Sequence, residues 1–395
     1  MPPGPFPLPI IGNILQIDDT KPHITFSKLS KKYGKIFTVK LGVQRIVVIC
    51  GAELARCAFL KNSAAFAGRP PSYAGSVFSG GLKDIGFQTY STVWKRQHRI
   101  ALNAIRMCEK KFSSLEELIN REIQEVSLYF ESFEGKPLDP RQAIFTAIIN
   151  CMGSLCFGKR FEGKSQDIES MKEAINCFRD NLGAASILDA FPFMRYFPFP
   201  AVSKLKRSAA VRDKIIWRKF EEHKKTFNEA NIRDMIDAMM AARLFEGKEN
   251  VSSNNNIDDN SNMVELLSDE RIIYTCNDAF IAGSETPTSA LLWVFIQLAK
   301  YPDVQAKIHK EIDDVIDLKE GINMQDKLNL PYTEAVIAET IRYVSFMPMA
   351  IPHFTTKDVM LDGYRIPKDT VVYLNLWAIQ HDDEYFDEPY VVSIL

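Results

Sequence analysis

The chain holds 395 residues, 46% of them hydrophobic and 25% charged, with a formal net charge of −2 and an isoelectric point near 6.4. That balance can build a large core and excludes both the basic footprint of a nucleic-acid binder and the composition of a disordered chain. The seven cysteines form no CxxC pairs and the six histidines show no zinc-type spacing, so neither a disulfide frame nor a structural zinc site is expected.

In chain order, Pro2 to Asn13 is a stiff proline-rich stretch that forbids helix, read over residues 1–13 as a hinge or an ordered arm. No run of ~20 apolar residues and no signal-peptide core accompanies it, so no anchor segment is expected. Lys35–Leu41 and Arg45–Cys50, parted by Gly42-Val43-Gln44, predict a β-hairpin within 35–50. Trp94-Lys95-Arg96-Gln97-His98-Arg99 opens a basic helix. Ser113 and Glu116 have the capping-box spacing before an apolar series from Leu115 to Phe130. The aromatic patch from Phe191 to Pro200 is read as core, with a channel roof or lipid contact as the alternative. Glu249–Met263, rich in Asn, Ser and Asp, reads as a flexible surface loop, because helical periodicity resumes on both sides.

A long helix is predicted over Asp269–Lys300, capped by Ser268, acidic at its start and ended by Tyr301-Pro302. Some ~30 residues span roughly 45 Å, so its centre should be buried. Ala279, Gly283, Thr286 and Ala290 recur at i, i+4, i+7 and i+11 and give one face almost no bulk. Something flat can lie there, or a closely packed second helix. Pro287 offers no N–H to the Gly283 carbonyl, so the helix should open or bend and leave a polar notch beside Thr286. Pro302 and Pro331 start two further helices. The second carries Glu339 and Arg342 three apart, a spacing that usually marks a solvated pair worth ~0.2–0.5 kcal/mol. Val359–Leu361, Tyr364–Ile366 and Val371–Trp377 predict a hairpin and a strand within 359–377. The fold class is therefore mainly α with a small β region, in a single domain over 1–395.

Taken together, these motifs resemble the cytochrome P-450 family of haem-thiolate monooxygenases, in its animal microsomal steroid- and drug-hydroxylating branch. The resemblance runs through almost the whole chain: the proline-rich stretch, the tryptophan-basic helix, Ala282-Gly283-x-Glu285-Thr286, Tyr301-Pro302-Asp303-Val304-Gln305, Glu339-x-x-Arg342 and Ile351-Pro352-His353. It implies a helical prism holding haem b between the central helix and a cysteine loop. It also implies insertion of one oxygen atom from O2 into a lipophilic steroid- or xenobiotic-like molecule. Electrons would come from NADPH through NADPH-cytochrome reductase, with cytochrome b5 as a further partner, at the endoplasmic reticulum membrane.

By the same resemblance, Thr286 hydrogen-bonds dioxygen and Glu285 serves the proton relay, while Ala282 and Gly283 are small because the porphyrin lies against them. Trp94, His98 and His353 contact the haem propionates, with Arg99 beside them. Glu339 and Arg342 are structural and lock against a downstream arginine. Ala279, Phe346, Met349, Ala350 and Ile351 line the substrate pocket. Two positions depart from the family pattern: Pro287 stands where threonine is common, and His98 where arginine is usual. Lys95, Arg96, Arg99, Arg106, Lys110 and Lys111 are expected on the face that docks an acidic reductase.

The family's Phe-x-x-Gly-x-x-x-Cys pattern is absent, as are the downstream arginine and a last helix. The chain is accordingly expected to be truncated at both ends, to lack the axial Cys as metal ligand, and to leave Ile281, Leu291, Trp293 and Phe295 partly uncovered. Cys276 is read as a small buried residue. Two readings stay open: a working monooxygenase completed by further sequence, or a catalytically dead product with a decoy role or none.

Overall fold

One long central helix, and strands contributed by opposite ends of the chain, organise the molecule in a computed structural model that describes residues 1–111, 113–161, 166–197, 199–252, 267–316 and 322–392. Its helices are α1 (Pro22–Tyr33), α2 (Ala52–Arg56), α3 (Tyr73–Phe78), α4 (Thr92–Lys111), α5 (Ser113–Glu131), α6 (Arg141–Phe157), α7 (Gln166–Ala190), α8 (Pro200–Thr226), α9 (Met235–Ser252), α10 (Asp269–Lys300), α11 (Pro302–Val315), α12 (Pro331–Val344) and α13 (Leu376–Gln380). The strands are β1 (Ile36–Leu41), β2 (Gln44–Ile49), β3 (His353–Phe354), β4 (Val359–Leu361), β5 (Tyr364–Ile366) and β6 (Val371–Leu374). The mainly helical class with a small β region is as the sequence implies.

The sheet order is β1-β2-β6-β3, with β2 and β6 parallel and β4-β5 a separate hairpin. Ile46, Val47, Val48 and Ile49 are fully buried in sequence, because apolar clusters cover both faces of β2. The proline-rich arm lies on β1, where Thr38 N–H donates to the Pro3 carbonyl at 2.8 Å and Thr38 Oγ1 to that of Pro2 at 2.9 Å. The strand predicted to reach Trp377 stops at Leu374, because Asn375 Oδ1 accepts the Ala378 N–H at 3.2 Å and caps α13.

The central core surrounds α10. Phe280 packs against Phe157 and Phe161 at ring separations of 5.2 and 5.8 Å, and Cys276 sits fully buried beside Met239. Gly283 corrects one expectation: a Cβ there would lie 2.5 Å from Met152 Cε on α6, so its smallness serves helix packing and it does not face the cavity described below. The expected opening at Pro287 is likewise absent, as α10 runs unbroken through it. Ser284, Thr286 and Thr288 donate to the carbonyls four residues back, at 2.6, 2.7 and 2.7 Å. Among the described residues α10 is also the one helix long and apolar enough to cross a membrane. Its first half, Ile272 to Phe280, packs into the central core, whereas only 17% of the apolar window is buried.

Other local expectations shift. Glu116 Oε1 accepts the Met324 N–H at 2.9 Å, and the expected capping box falls on Ser113, whose side chain lies outside the described residues. The aromatic patch is not core: Phe193, Tyr196 and Phe197 are exposed, because the connection between α7 and α8 runs over the surface. Helix α9 extends to Ser252 into the predicted loop, whose remaining residues fall outside the description. Leu291, Trp293 and Phe295 are each 40% exposed, as expected, whereas Ile281 packs against two apolar clusters.

Candidate active site

A cavity of about 740 Å³ opens between α10, α4, α7, the loop before α4 and the segment 346–352. Helix α10 presents Asp278, Ala279, Ala282, Glu285, Thr286 and Ser289 to it, residues three and four apart on one face. Opposite lie Phe346, Met349, Ala350 and Ile351. Two features aim that segment. Ser345 ends α12 in the left-handed region at φ 44°, turning the chain sharply, and Ala350 N–H donates to the Leu374 carbonyl at 3.1 Å, hanging the segment on β6.

The expected pocket residues and the Glu285-Thr286 pair thus converge on one space. Thr286 Oγ1 donates to the Ala282 carbonyl at 2.7 Å, and Glu285 Oε1 meets Arg179 Nη1 of α7 at 2.7 Å. Sequence reasoning missed Arg179, because nothing local links residues 106 positions apart.

The residues expected at the haem propionates divide. His98 lines the cavity, its ring stacked on Trp94 with centroids 4.8 Å apart. Trp94 itself spends its indole N–H on the Ile85 carbonyl at 2.9 Å, so it fixes the loop rather than binding an anion. Arg99 is exposed and outside the lining. His353 sits in a second hollow with Phe59 and Leu374, its Nδ1 2.7 Å from the Phe66 carbonyl. Burial, then the charge of Arg69, push its pKa down to about 4, so the imidazole is neutral at pH 7 and is no cationic anchor. A half-buried cation at this edge is Arg69, which sequence reasoning missed as a lone loop arginine. It lines the cavity, and its Nε and Nη1 bond the carbonyls of Gly86 (3.0 Å), Pro352 (3.0 Å) and Ile351 (3.3 Å).

Glu339 and Arg342 form no solvated pair. Arg342 is buried, bonds Glu339 through Nε and Nη2 at 2.6 and 2.7 Å, and donates to the carbonyls of Gln380 (2.8 Å), Pro389 (2.9 Å) and Val391 (3.2 Å). Through these carbonyls the pair pins the segment after α13.

A haem is the test of this space. The small Ala279 and Ala282 leave a flat apolar wall, and His98 with Arg69 faces the edge where carboxylates would sit, so the body and acidic rim of a porphyrin fit. None of the seven cysteines lines the cavity, and burial raises the Cys276 thiol well above its ordinary range.

The prism of helices, the small sheet and an apolar cavity against a carboxylate-hydroxyl turn define a monooxygenase-type scaffold. The profile of the family described as Cytochrome P450 matches residues 2–394, and the chain belongs to that family. It is similar to cytochrome P450 1A1 of Opsanus tau, 34% identical over 406 residues, covering 98% of this chain and 74% of the relative. It is also 33% identical to steroid 17-alpha-hydroxylase/17,20 lyase of Rana dybowskii over 387 residues, covering 98% and 73%. Cytochrome P450 1A2 of Rattus norvegicus matches at 33% over 400 residues, covering 99% and 75%.

Proposed function

We propose that this protein inserts one oxygen atom of O2 into a steroid- or xenobiotic-like molecule held in the cavity, with haem b as cofactor. The observation that carries this reading is the meeting of a roomy apolar cavity with the Glu285-Thr286 turn of α10. When bound, a haem would supply the redox chemistry of dioxygen. The chain's own residues bind and exclude water: Phe178, Phe346, Met349 and Ile351 keep the site apolar, which strengthens each polar contact inside it. Thr286 holds a hydroxyl, and Glu285 a carboxylate one residue away, as groups able to pass protons at the cavity wall. Arg69 and His98 would neutralise the cofactor's carboxylates. Electrons come, in this reading, from NADPH through a flavoprotein reductase docked on the basic face of α4, at the endoplasmic reticulum membrane. Of that face, the side chains of Lys110 and Lys111 lie outside the described residues.

The test uses the protein isolated from its own source, with reductase, NADPH, a steroid or polycyclic aromatic substrate and ¹⁸O₂. One ¹⁸O atom per product molecule is expected. A product carrying oxygen only from water would overturn the reading.

A further inference from the structure

Side chains of β6 alternate between its two faces, so Val372 and Leu374 join one apolar cluster while Val371 and Tyr373 turn to the other and line the cavity. Tyr373 is held from two sides. Its backbone lies opposite Val48 in the parallel ladder to β2, and its ring meets Phe26 edge-on with centroids 6.4 Å apart. The hydroxyl oxygen touches open space yet makes no hydrogen bond among the described residues.

Other polar groups on the same wall are already engaged. Asp189, at the end of α7, accepts the Tyr73 N–H at 2.9 Å and Arg195 Nη2 at 2.7 Å, and Ser72 Oγ accepts the Gly75 N–H at 3.1 Å. Thr286 gives its hydroxyl hydrogen to the Ala282 carbonyl, and Glu285 is paired with Arg179. Burial, then the charge of Asp189, push the Tyr373 pKa up to about 12, so the phenol keeps its proton at pH 7. A phenol donates well and accepts poorly, because its lone pairs delocalise into the ring; what this one lacks is an acceptor. A donor without a partner on an apolar wall favours a ligand that supplies one over an analogue that does not. A carboxylate would meet the nearby charge of Asp189, so the acceptor that fits is a neutral one.

We propose that Tyr373 is a specificity-determining residue whose hydroxyl donates a hydrogen bond to a neutral carbonyl oxygen of the substrate, at the end that lies against the sheet. Strand β6 carries the segment 346–352 through the bond from Ala350 N–H to the Leu374 carbonyl, and that segment faces α10 across the cavity. The carbonyl is therefore held on the side away from Glu285 and Thr286. The proposal rests on the monooxygenase reading, which places the oxidised carbon near Thr286.

Equilibrium dialysis of the full chain, with and without added haem, tests it with two rigid probes of one shape: 5α-androstan-3-one, and 3-methylidene-5α-androstane, in which a CH2 group replaces the carbonyl oxygen. The ketone is expected to bind about three- to tenfold more tightly, the range that one net hydrogen bond supplies. Tyr373→Phe keeps the ring and its packing, so it should bring the ketone down to the methylidene compound and leave the latter unchanged. A tyrosine with a merely structural role would move both probes alike. Equal affinity for the two probes in the native chain, a ketone preference unchanged in Tyr373→Phe, or an equal loss of both probes in that variant would overturn the assignment while leaving the cavity's role intact. Binding of neither probe by the native chain would overturn the cavity reading and the assignment with it.

Discussion

Replacing Arg342 by methionine tests whether the buried pair on α12 holds the C-terminal segment. Methionine keeps most of the side-chain volume but removes two bonds to Glu339, three to the carbonyls of Gln380, Pro389 and Val391, and a guanidinium 4.7 Å from the Phe386 ring. Glu339 and Arg342 side chains are 13% and 10% exposed, so solvent screens the loss only weakly. Removing one member of a buried pair costs ~3–5 kcal/mol, because the other charge stays buried with that counterion gone. Glu339→Gln should cost less, ~1–2 kcal/mol, because Arg342 keeps its three carbonyls. Guanidinium chloride midpoints at matched slopes give the two values, and limited proteolysis between Leu376 and Val392 should accelerate only in Arg342→Met. The reasoning fails if Arg342→Met lies within ~1 kcal/mol of the native chain, or if Glu339→Gln proves the costlier change.

Three further outcomes follow. His223 Nε2 stands 2.6 Å from Asp234 Oδ2 and its Nδ1 2.7 Å from the Lys219 carbonyl. Burial lowers its pKa, but the Asp234 bond and charge outweigh that and raise it above 6.5. The stabilisation is therefore complete below pH 6.5 and lost as pH rises through the raised value, so melting temperature should fall across that window in the native chain and less in His223→Gln. Gly283→Ala should stay within ~1 kcal/mol, helix propensity offsetting the displaced Met152, and Gly283→Val should cost ~1–3 kcal/mol by overpacking. Neither should change the affinity of a cavity ligand, and a tenfold loss in Gly283→Ala would show that a flat group does lie against Gly283. Residues 1–395 expressed with haem should give no thiolate-type spectrum with reduced carbon monoxide, since no cysteine lines the cavity. Such a spectrum would mean that one of the seven ligates iron.

The central helix was legible to its end residues, because Ser268, Tyr301 and Pro302 are local signals. The pocket segment from Phe346 to Ile351 was legible through the family's motif order. What escaped were partnerships between residues far apart in sequence. Trp94 is an anion ligand only by the family resemblance, and the structure gives its N–H to Ile85. His353 looked cationic until burial and Arg69 were placed around it. The stripe of small residues mixed two purposes, with Ala279 and Thr286 facing the cavity and Gly283 facing Met152. Periodicity reports a shared face only within ~20° per heptad, too coarse to separate neighbouring surfaces of one helix.

The parallel pairing of Ile46–Ile49 with Val371–Leu374 also sets a clock for biosynthesis. The β1-β2 hairpin emerges early, yet the strand that covers its open edge is made roughly 325 residues later, some 15–65 s at ribosomal speeds of about 5–20 residues per second. Throughout that interval four consecutive apolar residues present an unpaired edge of the kind that seeds aggregation. The proline arm lies along β1, on the far side of the hairpin, so the β2 edge stays uncovered until β6 arrives.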